Sequence, residues 1–182
     1  MKSHLNTTLH SFFDERLEQG LGCIMPMVFR VFGSVDSVPT MDEIIEMFDE
    51  AEFEVTLETE NEEDDEDVWS DLLVFESSLD GPINLFRIED EDAFAETVEQ
   101  ALEPLEGQEA DDAEAVRSVL ESCTVAYGID LQDEFADDEN ALVMCSVLAQ
   151  FLAQRCDGLY LVDSEAWFNE AGEMVLEFAE EE

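Results

Sequence analysis

The chain is short of positive charge. Only six of its 182 residues are Lys or Arg (Lys2, Arg16, Arg30, Arg87, Arg117 and Arg155), against fifty Asp and Glu, for a net charge of -44. Such a surface repels phosphate backbones and anionic lipid, so direct binding to nucleic acid or to a membrane surface is excluded. Histidine is nearly missing: His4 and His10 are the whole supply. A Cys–His or Ser–His nucleophile needs a base beside it, and no GxSxG is present, so hydrolase chemistry of that type is not expected. No CxxC pair occurs among Cys23, Cys123, Cys145 and Cys156, which removes the usual zinc spacing. Neither GxGxxG nor GxxxxGK[ST] occurs, so no phosphate-cradling loop is expected. Long apolar runs are lacking too. The best one, "ALVMCSVLAQFLA" from Ala141 to Ala153, is interrupted by Ser146 and Gln150 and falls short of the roughly 20 residues of a membrane span. The first residues, "MKSHLNTTLH", have no apolar core of signal-peptide length. The expectation is a non-enzymatic, cytoplasmic protein without cofactor or metal.

What is present is a core. Hydrophobic residues make up 46 %, with thirteen Phe and two Trp, more than a disordered polyanion would carry. The length suits about one domain. The acids therefore belong to the surface of a folded unit, where their mutual repulsion opposes compactness. Scarce Lys with abundant acid is also what a halophilic, salt-adapted protein shows, although four Cys and many Phe and Met argue against it. The Cys sit in apolar patterns and read as small buried hydrophobes, which points to a reducing compartment.

Periodicity predicts the elements. Residues 1–24 read as a helical appendage, about Leu5 to Gln19, ending at Gly20 and Gly22. The domain proper is expected over 25–178, with an acidic loop at 59–68 and an acidic tail at 179–182. "MPMVFRVFG" predicts a strand with Arg30 outward or at an edge. Thr40 and Glu43 have capping-box spacing, and Met41, Ile44, Ile45 and Phe48 form a helical stripe. Phe53, Val55 and Leu57 then alternate with Glu54, Thr56 and Glu58 as a strand does. "LLVF" and "INLFRI" are strands around a turn at Asp80–Gly81–Pro82. Helices follow at about 92–105 and 111–122, then the strand "TVAYGIDL". A helix over about 138–156 is apolar almost all round and should be the most buried, with Gly158 as its stop. "LYLV", "AWF" and "MVLEF" close the chain as strands, the last turn being "NEAG". The fold class expected is α+β: a mainly antiparallel sheet with about four helices packed on it.

The stretch from "GIDL" through "LAQFLAQRCDGLYLVDSEAWFNEAGEMVL", residues 128–176, resembles an uncharacterised group of small bacterial α+β proteins, and "MPMVFRVFG" is similar to their start. In that group a last helix ends in a Gly-rich stop, followed by a strand and a "GEGFYDADG"-like hairpin. Here "DSEAWFNEAG" departs from the pattern near Ser164, where glycine is expected. The resemblance implies the fold and carries no activity.

With no catalytic motif, the acids themselves are the candidate site. Calcium loops of the DxDxDG kind are absent, and "DSEAWFNEAGE" puts Trp167 and Phe168 where ligands belong. On a helix, residues four apart stand about 6 Å from one another; alternate strand residues on one face stand about 6.6–6.8 Å apart. Neighbouring phosphates of a nucleic-acid strand have comparable spacing. The candidate rows are Asp42, Glu46 and Glu50 on the first core helix, and Glu54, Glu58 and Glu60 on the strand after it. The run "ENEEDDED" (Glu60, Glu62, Glu63, Asp64, Asp65, Glu66 and Asp67) extends them, and Asp92, Glu96 and Glu99 add to the field. Trp69, next to the run, is the candidate aromatic anchor; Trp167 is a second, with core packing as the competing role of both. The partner such a surface fits is a basic protein, a nuclease or a nucleic-acid-binding protein. An immunity-type inhibitor or DNA mimic predicts acids clustered on one face with an exposed aromatic nearby. Salt adaptation predicts acids spread evenly and folding that needs molar salt. A carboxylate- or metal-dependent hydrolase predicts a deep pocket with convergent carboxylates of raised pKa.

Overall fold

The structure is a computed structural model and describes residues 28–59, 68–132, 135, 138–162 and 166–178. The expected helical appendage, the acidic run from Glu60 to Asp67 and the tail lie outside the described residues. Among those described, eight strands form one sheet, covered by four helices, as an α+β fold. The strands are β1 (Val28–Gly33), β2 (Val55–Glu58), β3 (Asp71–Glu76), β4 (Ile83–Arg87), β5 (Val125–Asp130), β6 (Gly158–Val162), β7 (Ala166–Asn169) and β8 (Met174–Glu177). The helices are α1 (Met41–Glu50), α2 (Glu91–Leu102), α3 (Asp111–Ser122) and α4 (Glu139–Cys156), with a 3-10 turn at Glu103–Leu105 after α2. The spatial order is β2-β3-β4-β5-β1-β6-β7-β8, and every pairing is antiparallel.

Strand parity divides the core in two. Phe29 and Val31 of β1, Leu72 and Val74 of β3, Ile83 and Leu85 of β4, and Tyr127 and Ile129 of β5 point to one face, under α1 and α4. Phe32 of β1, Ala126 of β5, Leu159 and Leu161 of β6, and Trp167 of β7 point to the other, under α2 and α3. Helix α4 is buried along most of its length, including Ser146, whose hydroxyl donates to the Leu142 carbonyl at 2.8 Å. That bond satisfies the one hydroxyl of the helix.

One expectation is narrowed and two need correction. Strand β1 is central, between β5 and β6, so of the outward and edge placements expected for Arg30 the edge is excluded; its guanidinium reaches Gln100 Oε1 of α2 at 3.3 Å. Ile45 belongs to the helical stripe by spacing yet is 39 % exposed, because Ile44 and Phe48 take the buried side. Gly158 is not the left-handed stop of α4. Asp157 takes that conformation, with φ 52°, and Gly158 opens β6. Glycine is required there by crowding: a Cβ would lie 2.0 Å from the Phe32 carbonyl oxygen.

Candidate functional site

Helix α1 is built as its sequence demands. The Thr40 hydroxyl accepts from the Glu43 N–H at 3.2 Å, and the Thr40 N–H donates to the Glu43 carboxylate at 2.9 Å, closing the capping box. Ile44 and Phe48 anchor the helix in the core. That orientation leaves Asp42, Glu46, Asp49 and Glu50 exposed. The row Asp42, Glu46, Glu50 is therefore a solvent-facing helical row, as expected. Asp49 and Glu50 lie in the last turn, where the negative end of the helix disfavours acids by roughly 0.3–1 kcal/mol each. No basic residue offsets them there.

Glu54 and Glu58 are also exposed, alternating with half-buried Val55 and Leu57. Val55 and Leu57 pack toward the core that α1 covers. By strand parity Glu58, like Glu54 ahead of the strand, points to the opposite side of the sheet from α1. The two rows thus do not share a plane; they flank β2, which is an edge strand. Charges along an edge strand also block edge-to-edge pairing with another chain. Glu60, Glu62, Glu63, Asp64, Asp65, Glu66 and Asp67 lie outside the described residues.

A second acidic field lies across the sheet. Asp92, Glu96 and Glu99 of α2 are exposed, as are Asp111, Asp112 and Glu114 at the start of α3. Helix α4 is different. Its outer stripe of Asn140, Val143, Val147, Phe151 and Gln154 is exposed or half-buried and carries no acid.

The described cations are all engaged at home. Arg87 donates to both Asp36 carboxylate oxygens, at 2.9 and 3.0 Å, and to Glu89 at 3.1 Å. Arg155 meets Glu43 at 2.9 Å. Arg117 donates to the carbonyls of Leu105 and Gln108 at 2.9 and 3.1 Å, and Arg30 is held by Gln100. None of the four is exposed. Among the described residues the fully exposed charge is uniformly negative.

The aromatic anchors do not survive. Trp69 is 1 % exposed and Trp167 is 0 % exposed. The Trp69 indole N–H donates to the Pro39 carbonyl at 2.7 Å, and its ring lies 6.1 Å from that of Tyr127. Trp167 packs against Phe32 at 5.7 Å. Trp69 is held in the core by its indole hydrogen bond to Pro39 and Trp167 by the parity of β7, whatever the charge of their neighbours.

Little converges as a catalytic centre. A cavity of about 250 Å³ is lined by Arg87, Ile88, Glu89, Glu91, Phe94, Thr124 and Val125. Its arginine is already paired with Glu89 and Asp36, and the Thr124 hydroxyl donates to the Ser34 carbonyl at 3.0 Å. Asp130, elsewhere on β5, has its carboxyl pushed up by burial, with Arg30 pulling it down. Its cross-strand neighbours are Asn84 and Val28, so no second carboxylate stands directly opposite it. Among the described residues no three His, Cys, Asp or Glu side chains group as a metal site, and no helix is long and apolar enough to cross a membrane. The thiols of Cys123, Cys145 and Cys156 are free. Burial raises all three, Cys156 to about 12, the opposite of what a reactive thiolate needs.

Comparison with known protein families, with curated proteins and with solved structures finds no match for this chain.

Proposed function

We propose that the protein is a non-enzymatic interaction protein whose acidic surface occludes the basic site of a protein partner, in the manner of an immunity protein or a DNA mimic. The observation that carries the reading is the internal use of every described arginine, which leaves Asp42, Glu46, Glu50, Glu54 and Glu58 as an uncompensated acidic edge. Placing Asp49 and Glu50 at the helix end that disfavours them points to a role outside stability. The partner is a nuclease or a nucleic-acid-binding protein, and neither nucleic acid nor membrane is bound directly. Trp69 is not part of the surface.

The distribution of the acids favours a second reading as well. They occupy the outer sides of both α1 and the α2–α3 layer, which is what adaptation to a salty solvent would produce. A hydrolase has less support, since Asp130 is the single described carboxyl with a raised pKa and no carboxylate pairs with it across the strands.

The test is a competition. A panel of basic nucleic-acid-binding proteins, each preloaded with labelled duplex DNA, is titrated with this protein at about 0.05 M and about 0.2 M KCl. Displacement should occur for at least one member, weaken with salt, and weaken further when Asp42, Glu46 and Glu50 are replaced together by Asn, Gln and Gln. Displacement that ignores the triple replacement counts against this edge as the binding face.

A further inference from the structure

The cavity of about 250 Å³ has the size and lining of a socket for one side chain. It lies where β4 ends and where α2 and β5 begin, with Ile88, Phe94 and Val125 as its apolar lining. Val125 is buried, and Ile88 and Phe94 are half-buried. Sites for drug-sized ligands run to roughly 300–1,000 Å³, so this one suits a smaller occupant. Exposed apolar surface adjoins it. Ser34 and Asp36 are bonded to the lining residues Thr124 and Arg87. Val35, between them, is thereby held beside the cavity, and it is 46 % exposed.

The charge of the lining selects the sign of the occupant. The Arg87 guanidinium is taken by Asp36 and Glu89, and Glu91, exposed in the first turn of α2, adds a further carboxylate. One guanidinium thus stands against three carboxylates, which favours a cation over an anion. The carboxylate of Asp90 caps α2 by accepting from the Ala93 N–H at 2.9 Å, which fixes the helix start that carries Glu91 and Phe94. Apolar walls below a carboxylate rim complement a long cationic side chain, whose stem prefers apolar surface and whose head stays at the water.

We propose that this cavity is the anchor site for an arginine side chain of the basic partner. The stem lies along Ile88, Phe94 and Val125, and the guanidinium meets Glu89 and Glu91 at the rim, where the Phe94 ring adds a cation–π contact. Arginine is enriched among the few side chains that dominate binding at interfaces. The exposed acids of α1 and β2 attract any cation, whereas a socket of this size fixes where one particular side chain sits. The inference rests on the reading of the protein as the binder of a basic partner, but its test needs no partner.

The test titrates the full chain, labelled at Ile and Val methyl groups and Phe rings, with N-acetyl-arginine methylamide by NMR. The uncharged norleucine analogue serves as control. Saturable shifts at Ile88, Phe94 and Val125 are expected, weaker at about 0.2 M than at about 0.05 M KCl. The norleucine analogue, and the arginine probe on the variant Glu89→Gln, Glu91→Gln, should each bind at least about tenfold more weakly. Equal binding of the two probes would make the cavity an apolar hole without preference for a cation, and the proposal fails. Shifts spread over the exposed acids of α1 and α2 with none at Ile88 or Val125 would show a diffuse field, and the proposal fails as well. Saturable arginine binding here, beside a competition in which no basic protein releases its DNA, supports the socket and counts against the wider reading alone.

Discussion

Replacing Trp69 by Phe separates a core tryptophan from a surface anchor. The structure sets the cost. The 2.7 Å bond from the indole N–H to the Pro39 carbonyl is lost, worth about 1 kcal/mol net. The Pro39 carbonyl, in a buried residue, is left short of a donor, which adds roughly 1 kcal/mol or more. The missing ring leaves a void beside Tyr127 in a site that is 1 % exposed, costing about another 1 kcal/mol. The sum is about 3 kcal/mol. For a chain of this size each kcal/mol shifts Tm by roughly 2–4 °C, so Tm should fall by about 6–12 °C. Differential scanning calorimetry reads the shift directly. In the same variant, any partner affinity measured well below its Tm should stay within about twofold of the parent. A Tm within about 2 °C of the parent, coupled to a large loss of binding, would refute the reasoning and return Trp69 to the surface.

Other consequences follow from single contacts. Gly158→Ala forces a Cβ against the Phe32 carbonyl, 2.0 Å away, and should lower urea stability by about 1–3 kcal/mol or more. Gly107→Ala, with φ 78° and open space around it, should cost only about 1 kcal/mol. Helix α3 starts at Ala110 without a side-chain cap; Ala110→Ser should stabilise by about 0.5–1 kcal/mol, whereas Asp138→Ala, which removes the 2.9 Å cap of α4, should destabilise by about 1 kcal/mol. Chemical denaturation checks both. Burial raises Tyr127 and Cys156 from ordinary values of 10.0 and 9.0 to about 12 each. Their neutral forms therefore favour the folded state below those ordinary values, and that stability is lost as pH rises from about 9 through about 12. Urea midpoints should fall across this window; a flat profile would contradict the burial.

The elements were largely legible because their signals are local. The capping box of Thr40 and Glu43, the alternation of Val55 and Leu57, and the apolar circumference of 139–156 each lie within one stretch of chain. What was not legible depends on pairing across distance. That β1 sits in the middle of the sheet follows from its bonding to β5 and β6, about a hundred or more residues away, so nothing near Arg30 announces it. Trp69 looked like an anchor because its neighbours are acidic, while its indole is claimed by Pro39, thirty residues earlier. Gly158 is explained by Phe32, which comes beside it only when β6 pairs with β1. The acidic rows were half legible. Exposure followed from periodicity, but the relative orientation of the α1 row and the β2 row required knowing which face α1 covers.

The central claim is that the acidic surface of a stably folded domain serves a partner rather than a salty solvent. The most direct measurement is near-UV circular dichroism of the full chain from about 0.01 M to 3 M KCl, a range in which the Debye length contracts from about 30 Å to less than about 3 Å. Buried Trp69 and Trp167 supply the signal. The account predicts a native spectrum already complete near 0.1 M, with little gain beyond. A spectrum that stays featureless until about 1 M or more would contradict it and assign the acids to the solvent.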